Sequence, residues 1–413
     1  MATEVVTGPG RALEDPPPLR KNRDFSLLWG SQSVSQLGSS VSLLAFPLLV
    51  LSLDGSAVQA GALGTLQAVI RVTFQLPAGA FADRWNRKRL MQLCDAGRAG
   101  LFAVLAAVVL LDHASLPAVF AIAGAAAILD VLFSAAETSI VSQLVPRSQV
   151  SEAFARNEAR SYGATLAGPP LGGFLYALGR SVPFVFDAVS YVLSGLALSF
   201  VRRPSHPTSE EVGKTSLRQD MVEGLRHVAG SPFLRAVILA AAPVNFALTG
   251  AQFSTVLILA EAGHGSRALG VSQGCIAIGG LVGALGAARI QKSLPFHRLL
   301  AVALSLLLVL VAASAALAGR LAMVAPLALG LFLAPALNSA LFGRIASTTP
   351  TRIQGRVISV VALSATAAAS TAPIMVGFVV EQLGGTAAMG TAIAALSLAL
   401  TATVLSRRVL MSA

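Results

Sequence analysis

Twelve apolar stretches, each close to or beyond 20 residues, constrain this chain more than any other feature. A helix rises 1.5 Å per residue, so about 20 apolar residues cross the roughly 30 Å hydrocarbon core of a bilayer. The stretches run over 25–53, 57–81, 90–111, 116–142, 153–178 and 182–201, then 233–260, 269–290, 299–318, 321–343, 356–381 and 386–406. Inside lipid each backbone N–H and C=O must be satisfied within the protein, and a helix does this alone. The expected fold class is therefore an all-α membrane protein with twelve transmembrane helices in two six-helix bundles. Composition agrees, since only 12% of the 413 residues are charged against about 25% in soluble domains.

The polar remainder divides the chain. Residues 1–20, with Pro16-Pro17-Pro18 and no apolar core, read as a disordered cytoplasmic tail rather than a signal peptide. Residues 21–203 form an N-terminal bundle, 204–232 a cytoplasmic linker and 233–413 a C-terminal bundle. The net charge of +11 has a sided origin. If both termini face the cytoplasm, Arg180, Arg267 and Arg320 are the basic residues placed outside, Arg71 and Arg98 lie within helices, and the rest of the 30 fall inside. Short loops rich in Lys and Arg stay in the cytoplasm, so this asymmetry sets the orientation and explains the charge without a nucleic-acid partner.

An internal repeat accompanies the two halves. At an offset of 204 residues, Pro146 falls on Pro350, Pro169 on Pro373, Gly173 on Gly377, Gly79 on Gly283 and Lys88 on Lys292. Parallel repeats of this size belong to transporters that hold substrate near the midplane, between the halves. No cofactor or metal is expected. Cys94 and Cys275 sit apart in apolar runs and read as buried small hydrophobes, and the five histidines form no ligand spacing. Gly213-Lys214-Thr215 resembles the end of a phosphate-binding loop, but Thr208 replaces its first Gly and no strand precedes it. HExxH, GxSxG and paired-Asp motifs are absent, which argues against an intramembrane enzyme.

Charged residues in hydrocarbon are costly and usually face the bundle interior. Gln32, Gln36 and Ser39 recur at i, i+4, i+7 in the first stretch, as do Asp130, Ser134 and Glu137 in the fourth and Asn245, Thr249 and Gln252 in the seventh. Each trio shares one helix face. Gln67, Arg71 and Gln75 make a similar row in the second, and Asn338 is the main polar candidate in the tenth. Some of these side chains have interhelical hydrogen bonding as their whole task. Asp130 is the candidate proton carrier, because ionising a carboxyl in low dielectric is costly; pairing with Arg71 would weaken that role. Glu137 is placed to accept loop arginines, Asp95 and Arg98 to pair at i, i+3, and Asp187 to sit near the outer interface.

Gly79-Ala80-Phe81-Ala82-Asp83-Arg84-Trp85-Asn86-Arg87-Lys88-Arg89, after the second stretch, resembles the loop signature of the major facilitator superfamily. The resemblance implies the major facilitator fold and a switching role for Gly79, Asp83, Arg84, Arg87 and Lys88 at a cytoplasmic gate. Asn86 stands where the signature most often has Gly, and Ala287-Ala288 replace the Asp-Arg pair in the second half. Gly168-Pro169-Pro170-Leu171-Gly172-Gly173 is similar to the tail of the family's antiporter signature, a bend in which glycines allow close packing and prolines a kink. Asn22-Arg23-Asp24-Phe25 and Pro183-Phe184-Val185-Phe186-Asp187-Ala188 resemble the bacterial macrolide-efflux and enterobactin-exporter-like branch. The resemblance implies a monomeric inner-membrane exporter of a small apolar or amphipathic molecule, driven by proton antiport, with helices 1, 4, 7 and 10 lining its cavity. Import of a nutrient and a fluxless sensor are the alternatives.

Overall fold

A computed structural model describes residues 18–202, 217–293, 295–349 and 351–407. The expected tail (apart from 18–20) and residues 204–216 of the expected linker lie outside these. Fourteen α-helices follow one another among the described residues: α1 Arg23–Ser52, α2 Ala57–Arg84, α3 Arg87–Leu110, α4 Leu116–Leu144, α5 Val150–Leu178, α6 Val182–Ser199, α7 Leu217–Gly230, α8 Pro232–Glu261, α9 Ser266–Ser293, α10 Phe296–Ala316, α11 Val324–Leu331, α12 Ala334–Thr348, α13 Thr351–Leu383 and α14 Gly385–Leu405. Ten spans among the described residues are long and apolar enough to cross a membrane. The helices α2 and α5, of 28 and 29 residues, have the length. They carry Gln67, Arg71 and Gln75 in one and Glu152, Arg156, Glu158 and Arg160 in the other.

The tenth apolar stretch departs from expectation. It is broken at Phe332–Leu333 into α11 and α12. Pro335 has no N–H to offer the Leu331 carbonyl, and its ring crowds the preceding turn, which weakens the helix at this point. The basic motif after α2 also differs. Gly79, Asp83 and Arg84 belong to the last turns of α2 itself, and the link to α3 is only Trp85-Asn86. Asn86 caps α3, its side chain accepting from the Arg89 N–H at 3.0 Å.

Helices α1–α6 pack on one another through the pairs α1–α5, α1–α6, α3–α6, α3–α4 and α2–α4, and α8–α14 pack through α8–α13, α8–α14, α10–α14 and α9–α11. Two seams join these groups, α2 against α13 and α5 against α9. Leucines ring the outside, Leu285 79% and Leu405 80% exposed. Such a surface suits lipid, which is why the composition lacks charge.

The seams repeat each other. A Cβ on Gly173 would strike the Ser266 carbonyl, and one on Gly270 the Pro169 carbonyl. In the other seam, Gly377 meets the Ala57 carbonyl and Gly61 the Pro373 carbonyl. The 204-residue offset thus relates α5 to α13. Between α2 and α9, however, Ala57 corresponds to Ser266 and Gly61 to Gly270, a different spacing from the one that pairs Gly79 with Gly283. Backbones this close need glycine, since any side chain would force the helices apart. A hydrogen bond from the Ile374 N–H to Thr65 Oγ1 (3.1 Å) and the stacking of Arg267 over Phe174 (5.3 Å) cross the same two seams. All these contacts lie at the end bearing the α1–α2 and α5–α6 connections. Toward the Arg-rich end the helices draw apart: a Cβ added to Gly79, Gly163 or Gly280 would meet no atom within 4 Å. The bundle is sealed at one end and splayed at the other.

Candidate functional site

Two adjoining chambers lie beneath the seal and share Leu43 and Arg71. The first, about 390 Å³, is mostly apolar and lies between the helix groups. Leu43, Phe46 and Pro47 of α1, Phe253 of α8 and Pro373 of α13 line it, with Gln67, Thr249, Gln252 and Gln273 as polar points. Among the described residues, Arg71 is the charged side chain in its wall. The second chamber, about 340 Å³, is polar and built within α1–α5, from Gln32, Gln36, Ser39, Arg71, Arg98, Asp130, Ser134, Glu137 and Arg160 among others.

The polar chamber rests on an ordered network. Arg98, 3% exposed, donates to Asp95 Oδ1 at 2.6 Å and to Asp130 Oδ1 at 3.1 Å. Its guanidinium lies between the rings of Phe133 and Tyr191, with centroids at 4.4 and 4.3 Å. Asp95, wholly buried, also accepts from Ser194 Oγ at 2.5 Å, and Ser194 accepts from Gln32 Nε2 at 2.6 Å. Buried charge is tolerated only when paired and hydrogen-bonded in this way. Arg71, half exposed, approaches Asp130 Oδ2 more loosely, at 3.8 Å. Deeper toward the Arg-rich end, Arg160 donates to Glu137 at 2.8 Å and to Gln36 Oε1 at 2.9 Å, and its buried Nη1 has no hydrogen-bond partner.

The expected site residues therefore divide. Asp130, Arg71, Glu137, Gln32 and Gln36 come together in the polar chamber, and Thr249 and Gln252 join the apolar one. Glu137 takes Arg160 of α5 rather than a loop arginine. Gln32 is committed to Ser194, so it serves packing between α1 and α6. Asn245 donates back to the Ala241 carbonyl at 2.9 Å and lines neither chamber. Asn338 is exposed, also outside both linings.

The Gly-Pro run does not interrupt α5, which stays helical through Pro169 and Pro170. Gly168 and Gly172 face Ser40 and Val41 of α1, while Gly173 and the Pro169 carbonyl face α9. The run thus lets α5 lie close to two helices at once. Of the gate residues, the side chains of Asp83 and Arg84 lie outside the described residues. Arg87 is buried, and Lys88 Nζ donates to the carbonyls of Ser199 (3.1 Å) and Val201 (2.7 Å). A cation suits that position, the negative end of α6.

Two expectations are corrected. Cys275 is exposed on α9 rather than buried, whereas Cys94 is buried. Asp187 is not solvated: it is fully buried, accepting from Ser42 Oγ at 2.6 Å, in space left by Gly38, where a Cβ would come within 2.5 Å of its carboxylate. Arg160 escapes the sequence reading as a chamber residue. Its signal is present, since it stands inside the apolar stretch 153–178, where a charge points to a functional site.

Comparison with known proteins adds the family context. The sequence pattern of the Major Facilitator Superfamily matches residues 28–373. The "Multidrug efflux pump Tap" of Mycolicibacterium fortuitum is 26% identical over 366 residues, covering 84% of this chain and 87% of that protein. The "Uncharacterized MFS-type transporter YkuC" of Bacillus subtilis is 29% identical over 227 residues, and the match spans about half of each chain, 53% and 52%. Among solved structures, a bacterial homologue of the human lysosomal transporter Spinster, in an inward-facing and unoccupied conformation, superposes with a TM-score of 0.73 at 16% identity, over 96% of this chain and 99% of that one.

Proposed function

From the premise that this chain belongs to the major facilitator superfamily, a family of transporters and not enzymes, we propose that it exports small amphipathic molecules from a bacterial cell by alternating access across the inner membrane. The observation that carries the reading is the chamber between the helix groups, sealed at one end by the paired glycine seams and splayed at the other. Seams held mainly by close backbone contact near one end can part as a unit, which alternating access requires. The arginine asymmetry supports assigning the splayed end and both termini to the cytoplasm, so this state accepts cargo from inside. The same seams support the division into bundles 21–203 and 233–413, and the likeness to an efflux pump supports the direction. We take the chain to act as a monomer.

Protons are the proposed coupling ion, through Asp130; its pairing with Arg71 and Arg98 weighs against that role, so the proton has to compete with both arginines. A proton there would cancel the charge that Arg71 and Arg98 share, loosening α2 and α3 from α4 in one step. The test is compound accumulation in an efflux-deficient bacterium expressing the intact protein or Asp130→Asn. Lower accumulation with the intact protein, abolished by an uncoupler and by Asp130→Asn at equal membrane levels, supports the whole proposal. Export that survives Asp130→Asn removes this carboxylate from the coupling role. No change across a broad panel removes export itself.

A further inference from the structure

Five charged side chains line the polar chamber, with Asp95 buried behind Arg98 and Asp187 in a small adjoining pocket that Arg71 and Asp130 also border, and they are unequally matched. Arg98 has Asp95 at 2.6 Å as a buried partner, and Arg160 has Glu137 at 2.8 Å. That leaves Arg71 with Asp130, a pair at 3.8 Å in which Asp130 already accepts from Arg98 at 3.1 Å. Arg71 is therefore the guanidinium least committed to a protein carboxylate. It is also the one that borders both chambers. On its apolar side no acid lines the wall among the described residues, so no carboxylate there competes for Arg71 or would pair with a cation. On its polar side the buried Nη1 of Arg160 lacks an acceptor. Guanidinium groups bind carboxylates through paired N–H donors, and the interaction strengthens where water is excluded.

We infer that the cargo is an amphipathic anion, a molecule with an apolar body in the larger chamber and a carboxylate or comparably acidic group on Arg71. This rests on the reading of the chambers as the transport site. Asp130, which keeps Arg98, gives up Arg71 when such an anion arrives. An inside-negative membrane potential itself pushes an anion outward, so the class fits the export direction.

The probes are three compounds on one scaffold: 3-(2-naphthyl)propionate, its primary amide, and the corresponding propylamine. Their affinities for the purified full-length protein in lipid nanodiscs are measured by calorimetric titration. The acid should bind at least tenfold tighter than the amide or the amine. Arg71→Gln should remove the acid's advantage and Arg71→Lys keep part of it. Arg156→Gln, on α5 but outside both chambers, should keep all of it. An amine that binds as tightly as the acid overturns the inference, as does an acid preference that survives Arg71→Gln, or no binding by any of the three. Failure here is separable from failure of the export reading. If cells expressing the protein still expel neutral or cationic compounds, export stands and only the anion assignment falls.

Discussion

At the scale of single residues, the chamber depends on charges that need one another. Arg98 and Asp95 are buried together, and removing Arg98 leaves Asp95 without a cation, a loss of about 3–5 kcal/mol for buried pairs, whereas removing Asp95 leaves Arg98 with Asp130. Arg98→Ala should therefore lower the melting temperature in detergent sharply, whereas the double change Arg98→Met with Asp95→Leu should recover much of it. Equal damage by single and double variants would mean that an uncompensated buried charge is not the cause of the loss. Asn86 is a milder case. As the cap of α3 it should cost about 1 kcal/mol when changed to Ala but only a few tenths when changed to Gly. The same thermal unfolding measurement separates the two. Much of this was legible from spacing: Asp95 and Arg98 sit at i, i+3, and Asp130, Ser134 and Glu137 share one face. The Asp95–Arg98 pair and the approach of Arg71 to Asp130 were legible, but the Arg98–Asp130 and Arg160–Glu137 pairs were not, because α3, α4 and α5 bring together residues as distant as Glu137 and Arg160 through packing alone.

At the scale of elements, small residues decide where helices touch. Gly61 and Gly270 occupy matching places in the two seams, each against the carbonyl of a proline one helix away. Gly61→Leu should wedge α2 from α13 and shift the protein away from its sealed state. Spin labels at Asp54 and Leu383, near the sealed end, should report a longer distance. Gly280→Leu is the control, since no atom stands within 4 Å of a Cβ there, and it should leave that distance unchanged. The repeat at offset 204 correctly related α5 to α13, because Pro169 and Pro373 do the same task. It misplaced the counterpart in α2 and α9, because the helices that follow are shorter in the second half, 21 residues in α10 against 24 in α3. The break of α11 from α12 was likewise encoded locally, in Pro335, but a stretch of sufficient hydropathy concealed it.

At the scale of the whole molecule, orientation and direction are linked. Alkaline phosphatase, which matures only outside the cytoplasm, should be inactive when fused after residue 407, and a fluorescent protein fused there should be bright. The opposite pattern would turn the splayed end outward and reverse the proposed loading side. Length, hydropathy and arginine placement determined by themselves that this chain enters a membrane as helices, in two related halves, because these follow from the cost of exposing backbone and charge to hydrocarbon. Only the tertiary structure decided that the seams close at one end. It also decided that Asp187 is buried, that Asn245 and Asn338 stay out of the chambers, and that Arg71 is the loosely held charge between them. Helical periodicity specifies which residues share a face, but the rotation and approach of one helix against another depend on glycines and carbonyls contributed by both partners. No single stretch of sequence contains that information.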